Sequence, residues 1–113
     1  GMGMVLAELS TAVDHNINTT TIVFNNGSWG AEKSYQKDFF SERYIGADVS
    51  SPQFDKVAEL YGCKGYKVEK VSEIKDAVDD SLNCGKPAVI DVAVDPNALY
   101  SFRRDSFEHK IKN

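Results

Sequence analysis

The sequence is poor in cysteine and proline and lacks any long apolar run. It contains two cysteines and three prolines in 113 residues. Cys63 and Cys84 have no further cysteine or histidine nearby at zinc-ligand spacing, so we expect two reduced thiols and no zinc site. No apolar stretch approaches the ~20 residues of a membrane-spanning helix, and no signal-peptide pattern is visible. These absences predict a cytoplasmic chain without a membrane partner.

Positive charge is also scarce relative to negative charge. The chain has 13 Lys and Arg against 17 Asp and Glu, which gives a formal net charge of −4. No overall basic field is available to attract nucleic acid, so we expect no nucleic-acid partner. The hydrophobic fraction of 42% and the aromatic fraction of 11% are typical of a folded globular chain, and the length predicts one domain.

Residue spacing predicts alternating helices and strands. Helices are expected over 6–15, over 29–40 as a short helix, from the Ser51-Pro52 cap to Gly62, and from a Ser72 cap to Gly85. Pro52 is expected at the first position of the helix that ends at Gly62. Ser72 is expected to be the N-cap of the helix that ends at Gly85. Apolar or alternating runs predict strands over 19–24, 65–69 and 88–94.

This alternation is typical of an α/β domain in which helices cover both faces of a parallel sheet. Only three strands are visible, whereas a sheet usually contains about five or six. We therefore expect the sheet to be incomplete.

The most informative segment is the junction between the first strand and the loop Asn25-Asn26-Gly27-Ser28. Ligands of parallel sheets bind beyond the carboxyl ends of the strands. Amide and carbonyl oxygens are neutral ligands that Mg²⁺ or Ca²⁺ accepts, and Gly27 and Gly30 allow close approach of the backbone to a phosphate. The alternative is an ordinary turn, which Asn-Asn-Gly also favours.

The Asn25-Asn26 pair at the end of an apolar strand resembles the second half of the thiamine diphosphate fingerprint, in which GDG is followed further along by Asn-Asn. The resemblance implies that the Asn26 amide and the Ser28 carbonyl are metal ligands. It also implies that the backbone amides of Trp29, Gly30 and Ala31 meet the diphosphate. We expect the Trp29 side chain itself to pack against the protein.

Nearly the whole chain resembles the C-terminal diphosphate-binding domain of the acetolactate synthase and pyruvate oxidase group. The stretches IVFNN and KPAVIDVAVDP are among those that carry this resemblance. It implies a three-layer α/β/α thiamine diphosphate-binding fold. Residues 1–113 would be a partial C-terminal domain, with a charged tail over 100–113.

Two short stretches narrow the resemblance to the sulfoacetaldehyde acetyltransferase subfamily. These are 29–33 and Phe102-Arg103-Arg104-Asp105. The subfamily joins an acetyl group to phosphate and releases sulfite, which implies thiamine diphosphate, Mg²⁺ and a phosphate or sulfonate substrate. Arg103 and Arg104 could bind such an anion, since guanidinium groups suit oxyanions. Alternatively, both are solvated residues of the tail.

The chain departs from the fingerprint in one respect. Counting back from Asn26, the aspartate of GDG would fall just before Gly1, so we expect a truncated N-terminus and half of the Mg-diphosphate site. Such a chain should be inactive alone, bind the cofactor weakly, and form a homo-oligomer through its incomplete sheet. The alternative is a non-catalytic α/β module that supplies this half-site to another chain or binds a protein partner.

Overall fold

The computed structural model describes residues 1–100, which contain four α-helices, three β-strands and a short 3₁₀ turn at Met2–Met4. The helices are α1 (Glu8–Asp14), α2 (Gly30–Phe39), α3 (Phe54–Leu60) and α4 (Val71–Asn83). The strands are β1 (Thr20–Asn25), β2 (Lys64–Val68) and β3 (Ala88–Ala93). Every helix and strand predicted from residue spacing is present, with ends shifted by a few residues.

The three strands form one parallel sheet in the order β1-β3-β2. Ala88 at the start of β3 is in register with Thr20 on one side and with Lys64 on the other. The last strand along the chain is therefore the central one. Its first five residues are buried, as expected for a strand with neighbours on both sides and helices above and below.

Two apolar clusters lie on opposite faces of this sheet. One contains Val89 and is covered by α1 and α3 through Leu9, Phe54 and Ala58. The other contains Val68, Ile90 and Val92 and is covered by the apolar face of α4. Because side chains alternate along a strand, Val89 and Ile90 point to different faces. The compact unit formed by 1–25 and 51–94 is thus a three-layer α/β/α structure, as predicted.

The predicted start of α3 is wrong. The helix begins at Phe54, with Gln53 in the N-cap position and no side-chain cap from it, rather than at Pro52 behind a Ser51 cap. The Phe54 N–H instead donates to Oδ2 of Asp91, a fully buried residue of β3, at 3.0 Å. The acceptor comes from a distant strand, which helix-capping patterns in the local sequence do not reveal.

The predicted cap of α4 is also displaced, because Lys70 rather than Ser72 occupies the N-cap position. The carboxylate of Glu73 accepts the N–H groups of Glu69 and Lys70 at 3.0 and 3.1 Å. These two hydrogen bonds hold the pKa of Glu73 below its ordinary value. An acidic side chain in the first turn therefore does the capping that sequence spacing assigned to a serine.

A second compact unit contains 26–50 and, of the described residues after β3, 95–100; α2 is its helix. The Gln36 side chain accepts the Ile45 N–H at 3.1 Å and donates to the Ile45 carbonyl at 2.9 Å. These bonds fasten the irregular segment after α2 back onto the helix. Gly46 adopts a φ of +64°, a left-handed conformation that glycine reaches without steric cost.

Both cysteines are free thiols, and burial raises the pKa of the Cys63 thiol. The prediction of two reduced cysteines is therefore confirmed. Within residues 1–100, no helix has the length and apolar character required to cross a membrane.

Candidate functional site: the loop after β1

The loop that links β1 to α2 contains the predicted site residues. It begins at Asn26, directly after the last residue of β1, and ends at Trp29, directly before the first residue of α2. In a parallel sheet this is the carboxyl end of a strand, the end at which such folds bind their ligands. The loop is therefore placed where the sequence predicted it.

The side chain of Asn26 is held by a turn of its own loop. Its Oδ1 accepts the N–H of Ser28 at 3.1 Å, and Gly27 between them has a φ of +65°. This side-chain turn fixes the direction of the amide. An amide oxygen has two lone pairs, so Oδ1 can accept this bond and still bind a cation.

Ser28 pairs with Asp48 in an isolated antiparallel bridge. The Trp29 N–H donates to the Ala47 carbonyl at 2.7 Å, and the Val49 N–H donates to the Gly27 carbonyl at 3.1 Å. Neither bond uses the Ser28 carbonyl, which stays available to a ligand. Sequence analysis missed this bridge because the two segments are joined only through the irregular chain after α2.

The hydroxyl of Ser28 is buried and has no hydrogen-bond partner within residues 1–100. Buried hydroxyl groups in folded proteins are nearly always satisfied by protein, water or ligand. The loop therefore contains a buried hydroxyl that no described residue satisfies.

The first turn of α2 presents backbone N–H groups without a side-chain cap. Trp29 is the N-cap residue and its side chain makes no capping bond. The Trp29 carbonyl accepts the N–H of Lys33 at 2.9 Å, so the helix starts regularly. The amides of Gly30 and Ala31 lie in this first turn, and an uncapped helix N-terminus is suited to bind a phosphate group.

Gly30 has little room for a side chain. A Cβ added there would lie 2.8 Å from Nδ2 of Asn26, closer than carbon and nitrogen can approach without contact strain. The glycine therefore lets the Asn26 amide lie directly against the start of α2. The sequence predicted that Gly30 lets the backbone approach a phosphate closely. The structure adds that the Asn26 side chain lies against this glycine.

The Trp29 side chain is 58% exposed, so the expectation that it packs against the protein is wrong. The Trp29 N–H donates to the Ala47 carbonyl, and the Trp29 carbonyl accepts the Lys33 N–H, so both backbone polar groups are hydrogen-bonded. The indole is exposed. The backbone of Trp29 shapes the loop while its side chain contributes little to the described core.

Lys33 of α2 stabilises the bridge between Ser28 and Asp48. Its Nζ lies 2.6 Å from the Asp48 carboxylate and 5.4 Å from the centre of the Tyr44 ring. The Lys33 side chain is largely buried, whereas that of Asp48 is largely exposed. Lys33 thus holds the segment paired with Ser28 in place, a role that spacing alone did not indicate.

Within residues 1–100, no group of three or more His, Cys, Asp or Glu side chains is arranged to hold a metal ion. The oxygens that Asn26 and Ser28 offer, on the side-chain amide and the backbone carbonyl, are neutral. Arg103 and Arg104, the predicted anion-binding residues, lie outside the described residues.

The chain is similar in sequence to a known protein family and to individual members of it. The sequence profile of the family described as "Thiamine pyrophosphate enzyme, C-terminal TPP binding domain" matches residues 1–92. The chain is 32% identical over 114 residues to sulfoacetaldehyde acetyltransferase of Castellaniella defragrans, covering 97% of this chain and 19% of that protein. It is also 32% identical to a probable acetolactate synthase large subunit of Methanococcus aeolicus, covering 89% of this chain and 17% of that protein.

A solved structure is similar as well. The thiamine diphosphate-dependent 4-hydroxybenzoylformate decarboxylase of Rhodococcus jostii RHA1 matches with a TM-score of 0.76 and 26% identity, covering 83% of this chain and 18% of that one. The chain spans about a fifth of the length of the sulfoacetaldehyde acetyltransferases that it matches. With a family profile that covers residues 1–92 and a matching α/β fold, the chain belongs to the thiamine pyrophosphate enzymes, as a C-terminal TPP-binding domain.

Proposed function

We propose that residues 1–113 are a partial C-terminal domain of an enzyme of the sulfoacetaldehyde acetyltransferase type, which transfers an acetyl group to phosphate and releases sulfite. In this proposal residues 26–31 of the domain form half of an Mg²⁺-diphosphate site. One observation carries it: the fixed amide of Asn26 lies against the uncapped start of α2, at the end of a parallel strand.

The groups in this loop fit a magnesium diphosphate. Mg²⁺ accepts neutral oxygen ligands beside phosphate oxygens, and the Asn26 amide and the Ser28 carbonyl are such ligands. Phosphate oxygens accept backbone N–H groups at a helix N-terminus, as Gly30 and Ala31 provide. The buried Ser28 hydroxyl lacks a partner within residues 1–100, and a bound polar group would supply one.

Bound thiamine diphosphate would supply the carbanion chemistry of the reaction. The residues of this chain would bind and orient it. Asn26 and Ser28 would hold the cation, while the amides of Gly30 and Ala31 and the positive end of the α2 dipole would bind the diphosphate. The Trp29 N–H, which the resemblance also assigned to the diphosphate, donates to the Ala47 carbonyl instead. Arg103 and Arg104 are proposed to bind the phosphate or sulfonate substrate.

This half-site contains no carboxylate, so it has no full negative charge to attract Mg²⁺. We therefore expect the chain alone to bind Mg²⁺ with thiamine diphosphate weakly, at about millimolar affinity or below detection, where ~4 kcal/mol corresponds to millimolar. We expect no turnover from the chain alone. Self-association into a homo-oligomer is part of the same proposal.

Titration calorimetry with Mg²⁺ and thiamine diphosphate tests the site. Asn26→Asp keeps an oxygen that can accept the Ser28 N–H and adds a charge, so it should tighten binding. Asn26→Ala should abolish binding, and Asn83→Ala, an exposed helical asparagine, is the matched control and should change nothing. Joining a GDG segment ahead of Gly1 should also tighten binding, and Asn26→Ala should remove much of that gain.

Two results would contradict the assignment. One is tight cofactor binding by the unaltered chain. The other is equal binding by Asn26→Ala and the unaltered sequence when both carry the added GDG segment. In either case, groups outside this loop would bind Mg²⁺ and the diphosphate.

A further inference from the structure

The bridge between Ser28 and Asp48 is closed by two hydrogen bonds between their sequence neighbours, one on each side of the pair. Opposed residues flanked in this way form the non-hydrogen-bonded pair of an antiparallel ladder, so their own N–H and C=O groups face away from each other. The Ser28 N–H accordingly donates to Oδ1 of Asn26 at 3.1 Å. The bridge therefore turns the backbone polar groups of Ser28 away from 47–49.

This geometry brings the two proposed cation ligands to one side of the loop. The N–H and C=O groups of one residue in an antiparallel ladder point to the same side of the strand. Since the Ser28 N–H is directed at the Asn26 amide, the Ser28 carbonyl is directed to that side as well. The direction of this carbonyl thus depends on whether the bridge is closed.

Lys33 of α2 contacts both halves of the bridge. Its N–H donates to the Trp29 carbonyl at 2.9 Å, which joins it to the loop. Its Nζ lies 2.6 Å from Oδ1 of Asp48 and 5.4 Å from the centre of the Tyr44 ring, both in the segment that returns to Ser28. Because the Lys33 side chain is largely buried, salt screens this ion pair less than one between two exposed side chains.

We propose that Lys33 is a positioning residue for the Mg²⁺-diphosphate site, acting through Asp48 and the bridge on the direction of the Ser28 carbonyl. This inference rests on the proposed function of 26–31. In this role the Lys33 ammonium group stays on Asp48 and touches neither the cation nor the diphosphate. Gln36 also holds the returning segment, at Ile45, so the loss of Lys33 should loosen the bridge without abolishing it.

Two other roles of this ion pair make different predictions. If Lys33 bound the diphosphate directly, Asp48→Ala would free its ammonium group and tighten cofactor binding. If Asp48 merely attracted the cation by its charge, Lys33→Met would leave that charge uncompensated and tighten binding. Only a positioning role predicts that both variants, which change the net charge in opposite directions, weaken binding.

Amide hydrogen exchange followed by NMR tests the bridge itself. The N–H groups of Trp29 and Val49 close the bridge, so both should exchange several-fold faster in Lys33→Met than in the unaltered chain. Lys33→Arg keeps a donor for Asp48 and should restore most of the protection. Lys75→Met is the matched control, because it removes the same charge from an exposed ion pair on α4, and it should leave both amides unchanged.

Paramagnetic broadening by Mn²⁺ in the presence of thiamine diphosphate tests the site. Mn²⁺ accepts the same oxygen ligands as Mg²⁺, and the amide signals of 26–31 should broaden before those of the rest of the chain. Lys33→Met and Asp48→Ala should each raise the Mn²⁺ concentration required about fivefold, which corresponds to ~1 kcal/mol. The double variant should need no more than either single variant, because both remove the same contact. Lys33→Arg should restore most of the affinity, and Lys75→Met should change nothing.

The outcomes separate this inference from the proposed function. Tighter binding in either single variant overturns the positioning role, and so does unchanged exchange of the Trp29 and Val49 amides in Lys33→Met. Faster exchange with unchanged broadening also overturns it and leaves the proposed site in place. If the unaltered chain shows no broadening at 26–31, both the site and the positioning role are wrong.

Discussion

Replacing Asp91 by alanine should reveal how strongly the central strand holds helix α3. Asp91 is fully buried in β3, and its Oδ2 accepts the Phe54 N–H at 3.0 Å and lies 3.4 Å from Nζ of Lys67. Asp91→Ala removes the acceptor of a buried N–H at the first residue of the helix. Phe54 is itself 7% exposed, so water has little access to that group.

Three contributions determine how much the free energy of unfolding changes in Asp91→Ala. An unsatisfied buried donor costs ~1–3 kcal/mol. Losing the ion pair costs under ~1 kcal/mol, because the Lys67 side chain is 38% exposed and can be solvated instead. One gain opposes these losses, since Oδ1 of Asp91 is buried without a partner within residues 1–100 and its removal relieves that penalty. We expect the free energy of unfolding to fall by about 2 kcal/mol.

Urea unfolding followed by circular dichroism measures this loss. The matched control is Asp79→Ala, which removes an exposed ion pair with Lys75 one turn away on α4. Such a pair contributes ~0.3–0.5 kcal/mol, so the control should be nearly neutral. A loss for Asp91→Ala no greater than that of the control would refute the claim that this carboxylate anchors α3.

Three further predictions concern other close contacts. Gly65→Ala would place a Cβ 2.2 Å from the Asp55 carbonyl oxygen, so we expect a loss of at least ~1–3 kcal/mol in urea unfolding. Gly30→Ala would push the Asn26 side chain, rather than backbone, out of its hydrogen-bonded position, so thermal stability should change little while calorimetric cofactor binding weakens. Glu73 has a lowered pKa, so its stabilisation of α4 is present above the unfolded pKa and disappears as pH falls through the folded pKa; Glu73→Gln should flatten that part of the unfolding profile.

The fold was predictable from the sequence because β1 and β3 are apolar runs bounded by Asn, Gly or Pro, and β2 has an alternating pattern. Thr20–Asn25 and Ala88–Ala93 are examples whose composition favours strands wherever they pack. The start of α3 was not predictable, since its capping acceptor at Asp91 is 37 positions away along the chain. Local signals at Ser51 and Pro52 therefore pointed to a cap that the fold does not use.

The position of the candidate loop could be predicted from the sequence, but most of its geometry could not. Asn26 and Gly30 were identified from their order after an apolar strand. The Ser28 pairing with Asp48 depends on how 41–47 turns back, and residues with left-handed backbone there include Ser41 and Glu42. Such residues rarely adopt this conformation, so sequence carries almost no signal for it.

The order of the strands restricts how the polypeptide can fold as it is synthesised. Within residues 1–100, β1 and β2 each pair with β3, so none of these three strands can pair with another of the three until β3 has left the ribosome. β2, α4 and β3 are close in sequence and form a βαβ unit with a short loop to close. The pairing of β1 with β3 closes a longer loop, at a greater entropic cost. Substitutions in the β2-α4-β3 unit should therefore slow folding, while those in β1 should mainly accelerate unfolding.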